Sequence, residues 1–374
     1  MTDIVIAGYK RTAFTPAYKG ALAKSRPDDM AATAVKAVVD QAGITTTDVE
    51  DLILGCAFPE GEQGFNLARI VALHAGLPQS VGGVTVNRFC GSSMQAIHQA
   101  AGAILMGAGD AYIAAGVEAM SKVPMVGFNP MPNPAIMESH PGVYMGMGET
   151  AENVAKQYSI SREEQDEFAV LSQTKAAAAH AAGKFKDEIV EFNGVSEDGC
   201  IRPGTDMEAM SGLKPAFDAK GSVTAGTSSP LTDGAVATLV CSAAYANSNG
   251  LKPLAKIRSI AVAGCDPKVM GLGPIYATQK ALSRAGLNIG DIDVIELNEA
   301  FASQSIACIR DLKVDMDKVN IDGAAIALGH PLGATGARIT AKAAQIMQRE
   351  GKNLALATQC IGGGQGIATI LEAV

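Results

Sequence analysis

Tryptophan is absent from the chain, and aromatic residues of all kinds make up only 5% of it. A core so poor in them points to close helix-to-sheet contact. The 41 glycines suggest many tight turns. Positive charge is in deficit: 30 Lys and Arg against 38 Asp and Glu give a net charge of −8. That argues against sequence-independent nucleic-acid binding, which needs a basic face. A local basic pocket for a phosphorylated ligand is still allowed. No apolar run reaches the roughly 18 residues of a membrane span. Ile4-Val5-Ile6 already reads as strand, which leaves no room for a cleaved leader. The seven cysteines, at 56, 90, 200, 241, 265, 308 and 360, form no CxxC pair and no zinc spacing, and their number is odd. No metal site is expected, and a reducing, cytoplasmic setting fits best.

What is present is an alternation of strand and helix patterns over 374 residues, enough for two or more domains. Residues 2–8, 49–55 and 111–115 read as strands. Residues 28–42, 66–74 and 94–106 read as helices, the first closed by Gly43. Residues 11–24 read as loop. The alternation implies an α/β layered fold with a largely parallel sheet. It stops after Glu118 and returns at 235–241. Between them, 123–144 is loop-like, and Ser161-Arg-Glu-Glu164 is a capping box opening a helix through Ala182. Residues 119–230 therefore read as an insertion over the sheet. His180 within it is a plain helix residue.

The two ends of the chain resemble each other. Ala42-Gly43-Ile44 with Asp48-Val49-Glu50 matches Ala285-Gly286-Leu287 with Asp291-Ile292-Asp293, at an offset of 243; Gly109 matches Gly351 at 242. Duplicated α/β halves follow. Position 90 then maps near 332, beside His330, and Glu118 maps to Cys360. Cys90, His330 and Cys360 would then lie on loops at strand ends, where open α/β sheets bind ligands.

The chemistry concentrates in glycine-framed stretches. Val84 to Val86 reads as the end of a buried strand, Gly91-Ser92-Ser93 as a turn with capping chemistry, and Met94 onward as a helix. Cys90 sits between them, where free N–H groups and the helix dipole lower a thiol pKa. That stretch alone leaves catalytic nucleophile and buried core residue equally open. Asn298 follows a strand pattern, His330 is fixed by Pro331, and Cys360 precedes Gly362-Gly363-Gly364. Two cysteines, a histidine and an asparagine suit acyl transfer. Cys56, Cys200, Cys241, Cys265 and Cys308 lack this framing and read as core or surface.

With Cys90-Gly-Ser-Ser-Met94, Val223-Thr-Ala-Gly226-Thr-Ser-Ser229, Asn298-Glu-Ala-Phe301, Gly329-His330-Pro331 followed by Gly333 and Gly336, and Cys360-Ile-Gly362-Gly-Gly364 in the family's order, the chain resembles a thiolase over essentially its whole length. The resemblance implies a five-layered αβαβα fold of two duplicated halves with an inserted loop domain. The expected division is 1–118 plus 231–252 for the N-terminal half, 119–230 for the insertion and 253–374 for the C-terminal half. It implies Cys90 as nucleophile and Cys360 as acid/base. It places His330 and an Asn298-held water in one oxyanion hole, and the N–H groups of Cys90 and Gly362 in the other. By the same resemblance Ser229, Ala225 and Phe217 contact CoA, and Met147 and Phe301 lie near the pantetheine end and the acyl pocket. Coenzyme A enters as substrate, and no tightly bound cofactor is implied.

Two departures separate the chain from the short-chain biosynthetic pattern. Gly146 stands before Met147-Gly148 where that pattern has His, and Thr227-Ser228-Ser229 replaces Asn-Ala-Ser. These, with Gln365, resemble degradative 3-ketoacyl-CoA thiolases. The implied reaction is thiolytic cleavage of 3-ketoacyl-CoA to acetyl-CoA and a shortened acyl-CoA. The alternatives are condensation of two acetyl-CoA and a non-catalytic acyl-CoA or lipid carrier; the carrier reading is disfavoured because Cys90, Asn298, His330 and Cys360 are all present. The resemblance also implies a homodimer or homotetramer, and some such enzymes join a hydratase/dehydrogenase subunit.

Overall fold

Strand patterns that are apolar at nearly every position belong to strands covered on both faces. Among residues 2–374, which the computed structural model describes, nine strands of four or more residues join one sheet. They are β1 (Ile4–Thr12), β2 (Val49–Gly55), β3 (Gly82–Val86), β4 (Ala111–Ala119), β5 (Thr232–Ser242), β6 (Ala255–Gly264), β7 (Val294–Leu297), β8 (Leu354–Ile361) and β9 (Gln365–Glu372). β4 and β5 are buried at every residue. The order across the sheet is β3-β2-β4-β5-β1-β6-β9-β8-β7.

That order repeats about its centre. β2 and β4 are parallel, and β5 and β1 follow antiparallel. On the other side β7 and β8 are parallel, and β9 and β6 follow antiparallel. Leu52 opposite Ile113 is matched, 243 residues on, by Ile295 opposite Leu356. Val319, bridged in parallel to Ile295, stands where β3 stands beside β2. The constant offset corrects the sequence mapping by one residue. Cys360 corresponds to Val117, not Glu118, and position 90 corresponds to 333. Since alternate residues face opposite sides of a strand, that single step decides which side chain enters the site.

Eight helices matter here: α1 (Pro27–Ala42), α2 (Leu67–His74), α3 (Ser92–Leu105), α4 (Met147–Gln157), α5 (Arg162–Ala181), α6 (Gly273–Ala285), α7 (Ala302–Leu312) and α8 (Leu332–Arg349). α1 begins on a proline and ends at Gly43, whose φ of 65° suits a residue without Cβ. α1 and α2 cover the outer face of the N-terminal half, and α6 covers that of the C-terminal half. α3 and α8 pack on each other between the halves, and α8 touches β4, β5, β7 and β8. The result is the five-layered αβαβα arrangement. α8 is buried almost all round, Arg338 and Lys342 included, which marks it as a central helix.

The segment between β4 and β5 carries α4 and α5, and Ser161 caps α5 reciprocally with Glu164. A short helix, Pro134–Ser139, interrupts the stretch expected to be loop. Two further expectations change. β1 runs on to Thr12, so Arg11 is strand rather than loop. It is fully buried, gripping Asp198 with two bonds of 2.7 Å and donating Nε to Glu188 at 2.8 Å. β3 is a half-exposed strand at the sheet's edge, not a buried one.

Candidate active site

Both reactive turns stand at the start of a central helix. Cys90 lies in the single turn Phe89–Gly91 that leads into α3, and His330 precedes Pro331 and α8. Glycines let these helix starts meet. A Cβ on Gly116 would fall 2.2 Å from the Gly333 carbonyl, and one on Gly336 would fall 2.5 Å from the Met94 nitrogen. The Ala337 N–H donates to Ser93 Oγ at 2.9 Å across the same seam. Ser92 closes the Cys90 turn, accepting from the Arg88 N–H at 2.9 Å and donating to the Phe89 carbonyl at 2.6 Å. Gln359 Nε2 donates to the Cys90 carbonyl and so ties that turn to β8.

The Cys90 sulfur accepts from the backbone N–H groups of Gly362 and of Cys90 itself. The expected lowering of its pKa is not found. Burial pushes the thiol up to about 12, and the two N–H groups only partly oppose this. The helix-start field is present but smaller than the loss of solvation, so the resting group is a thiol and needs a base. Cys360, at the end of β8, is wholly buried. Burial first, then the neighbouring Cys90, pushes its thiol up as well.

His330 is buried, and burial with Arg338 nearby lowers its pKa to about 3. Its Nδ1 lies 2.6 Å from Thr335 Oγ1, whose own proton goes to the Pro331 carbonyl at 3.0 Å. Thr335 therefore accepts, Nδ1 carries the imidazole proton, and Nε2 presents its lone pair. That lone pair accepts from Asn298 Nδ2 at 3.4 Å. Asn298 Oδ1 is buried and, among the described residues, accepts from no protein group.

The remaining predicted residues divide. Phe301 is buried, with the Phe217 ring edge-on to it at 5.9 Å and 82°. Met147 and Phe301 share an apolar cluster with Cys360. Ser229 donates its N–H to the Ala300 carbonyl at 3.0 Å, beside Phe301. Ala225 sits exposed on the outer turn of that segment. A cavity of about 580 Å³ opens at Cys90, Gly362, Gly363 and Met147; Phe58, Phe89, Met125, Met131 and Tyr144 are among its walls. Phe217, Phe301, Ala225 and Ser229 do not line it. Cys90, Gly362 and Met147 thus border an apolar chamber, and Met147 also joins the Phe217–Phe301 group through the apolar cluster.

Two residues that hold the site were missed in the sequence. The fully buried Glu118 carboxylate accepts from the N–H groups of Ala57 (2.8 Å), Phe58 (3.2 Å) and Gly333 (2.8 Å), and from Gln63 Nε2 at 2.8 Å. A single acid inside an otherwise apolar strand was the available signal. Thr335 gave no signal beyond lying five residues after His330.

Family models match at both ends: the thiolase N-terminal domain over residues 4–244 and the thiolase C-terminal domain over 251–373. The 3-ketoacyl-CoA thiolase of Bacillus subtilis is 48% identical over 389 residues, covering all of both chains. That of Aeromonas hydrophila is 49% identical over 391 residues, again covering both fully. The crystal structure of human mitochondrial 3-ketoacyl-CoA thiolase in complex with CoA superposes with a TM-score of 0.92 at 36% identity, covering 100% of this chain and 98% of that one. The chain belongs to the thiolase family.

Proposed function

We propose that the protein cleaves 3-ketoacyl-CoA with CoA, giving acetyl-CoA and an acyl-CoA two carbons shorter, through an acyl group on Cys90. The observation that carries this is the Cys90 sulfur lying under the Gly362 N–H, with a second thiol, Cys360, beside it. Because the Cys90 thiol is protonated at rest, a base must act as it attacks. His330 Nε2, unprotonated and held only by a long 3.4 Å bond from Asn298 Nδ2, takes the proton. Sγ bonds to the 3-keto carbon, and the carbonyl oxygen is held by the N–H groups of Cys90 and Gly362. The bond between C2 and C3 then breaks, and its electrons move onto the thioester as an enolate. The protonated His330 now donates from Nε2 to that enolate oxygen, and Asn298 Oδ1 is free to hold the water the resemblance assigns to it. Cys360 gives its proton to the enolate carbon, releasing acetyl-CoA. Its thiolate then takes the proton of incoming CoA, whose sulfur displaces Cys90 and leaves as the shortened acyl-CoA, and the expelled Cys90 sulfur takes back the proton held on His330.

The chamber supports chain shortening over acetoacetyl-CoA synthesis. Its volume, about 580 Å³, is that of a site for a whole small molecule, far beyond an acetyl group. Its methionines form a pliant wall for chains of differing length. Phe217, Phe301 and Ser229 fit the CoA side, with Ala225 at its outer rim. The division into 1–118 plus 231–252, 119–230 and 253–374 suits the pairing pattern and the insertion between β4 and β5. Among the described residues no helix is long and apolar enough to cross a membrane. Seven free cysteines suit a reducing, cytoplasmic setting. Assembly as a homodimer or homotetramer, alone or with a hydratase/dehydrogenase subunit, belongs to the same proposal.

One experiment tests the core of it. Mixed with a 3-keto C8 acyl-CoA and no added CoA, the wild type should gain a six-carbon acyl group on Cys90 by intact mass and peptide mapping, and Cys90→Ser should gain none. An adduct mapped to Cys360, or none with the C8 substrate while acetoacetyl-CoA gives one, would overturn the reading.

A further inference from the structure

The seam between β7 and α8 carries a second polar pair beneath the first. Glu296 is two residues before Asn298, so both side chains leave the strand on one face. On that face Asn298 meets His330, and one layer deeper Glu296 Oε2 meets Arg338 NH1 at 3.6 Å. Arg338 and Glu296 are 1% and 0% exposed. Neither has a hydrogen-bond partner among the described residues: Nε, NH1 and NH2 of Arg338 and both carboxylate oxygens of Glu296 are unpartnered. A buried ion pair lacking hydrogen bonds is weak support for a fold, because the lost hydration outweighs the attraction. The pair therefore calls for another role.

Its position supplies one. Arg338 is on α8 about two turns past His330, and helical side chains lean toward the N-terminus. The guanidinium thus reaches back toward the imidazole, and its charge opposes protonation there. We propose that Glu296 and Arg338 are a positioning couple that sets how readily His330 takes the Cys90 proton. Arg338 alone penalises the imidazolium, and ionised Glu296 offsets that penalty. This rests on the reading of Cys90 and His330 as an acyl-transfer pair.

The couple makes the reaction sensitive to pH. The charged groups facing Glu296 are Arg338 and Lys342 from α8, Lys175 from α5, Asp322 from the segment before α8, and Glu299 just past β7. Burial outweighs the α8 cations and brings Glu296 up to about 7, with the two acids adding to the rise. His330 and Cys90, at about 3 and about 12, do not titrate there. As pH falls through 7, Glu296 gains a proton, the Arg338 field stands unopposed, and proton transfer to His330 weakens.

The test is the rate of Cys90 acetylation by acetyl-CoA between about pH 5.5 and 9, read by quenched intact mass, in wild type, Glu296→Gln and the double variant Glu296→Gln with Arg338→Met. Wild type should show an acid limb near 7 of roughly tenfold, the scale of one nearby charge at protein-like dielectric. Glu296→Gln should stay at the wild-type low-pH rate throughout. The double variant, with both charges gone, should be flat and return toward the high-pH rate. Glu296→Asp should keep a limb, which a role in packing alone would not require. A wild type that acetylates without a limb near 7 overturns the inference without any variant. So does a Glu296→Gln profile that superimposes on wild type, or a double variant as slow as the single. Absence of any Cys90 adduct in wild type at every pH would instead overturn the acyl-transfer reading, and this inference with it.

Discussion

Gly336→Ala tests whether the glycine seam sets the catalytic geometry. A Cβ there would stand 2.5 Å from the Met94 nitrogen and 2.7 Å from Met94 Cβ. Ordinary contact distances require α3 and α8 to part by about 1 Å, since close-packed interiors have no slack to absorb it. Overpacking of this kind costs about 1–3 kcal/mol, and replacing a helical glycine with alanine returns up to about 1 kcal/mol. The net loss is about 0–2 kcal/mol. With an unfolding entropy of about 2.1 cal/mol/K per residue, a chain of this length should lose only about 3 °C in Tm at most. Cys90 rides on the start of α3 and His330 on the start of α8, so the same displacement separates base from nucleophile. A shift of about 1 Å at the reacting groups costs on the order of 10² in rate. Differential scanning fluorimetry and steady-state kinetics should therefore disagree: a small fall in Tm, a large fall in kcat. Gly102 is the control, since it lies on α3 and a Cβ added there would meet no atom within contact distance; Gly102→Ala should raise Tm slightly and leave kcat unchanged. If Gly336→Ala kept kcat within about threefold of wild type, far short of the loss expected for that shift, the seam would not be setting the geometry.

Cys360→Ala should separate the two thiols: acylation of Cys90 by acetyl-CoA persists at a reduced rate, and carbon–carbon cleavage falls by about 10²–10⁴, the range for losing a general acid/base. Equal losses in both assays would show that the roles are not divided as drawn. Asn298→Ala should lower kcat by roughly 10²–10³ with little change in KM, as expected for a group acting on charge that develops only in the transition state. A raised KM with unchanged kcat, in protein shown to be folded by circular dichroism, would make Asn298 a shaper of the turn before Phe301 and nothing more.

Much of this was legible in the chain because it is local. The α5 capping box, the Gly43 helix stop and the apolar strand runs are decided within a few residues, and the structure keeps all three. The glycine framing of Cys90, His330 and Cys360 was legible for the same reason. What the sequence hid depends on partners far away. Arg11 looked like a loop residue because Glu188 and Asp198, which offset the cost of its burial, lie 177 and 187 residues on. The Cys90 pKa ran opposite to the local argument because burial, a property of the whole fold, outweighed the helix start. The duplication was visible, but an offset that drifted between 243 and 242 could not settle which side of β4 answers Cys360; only strand pairing does.

With the offset held at 243, each proposed catalytic position has a counterpart, and the counterparts explain why a duplicated fold has one such site rather than two. Asn298, His330 and Cys360 correspond to Gly55, Asn87 and Val117, and Cys90 corresponds to Gly333. In that second place there is no room for a nucleophile: a Cβ on Gly333 would lie 2.4 Å from the Val117 carbonyl and 2.8 Å from that of Gly55. What remains there is used as a brace. Glu118, next to Val117, accepts from the Gly333 N–H at 2.8 Å. Asn87 donates to the Ala57 carbonyl at 2.9 Å and accepts from the Phe89 N–H at 2.8 Å, which fixes the turn that carries Cys90. One copy of the site thus carries the proposed chemistry, and the other, collapsed onto glycine, braces the turn that holds Cys90. The reaction needs a thiol placed to a fraction of an ångström beneath two N–H groups, and a packed, hydrogen-bonded copy of the same loops is a stiffer support for it than a solvent-filled second site would be.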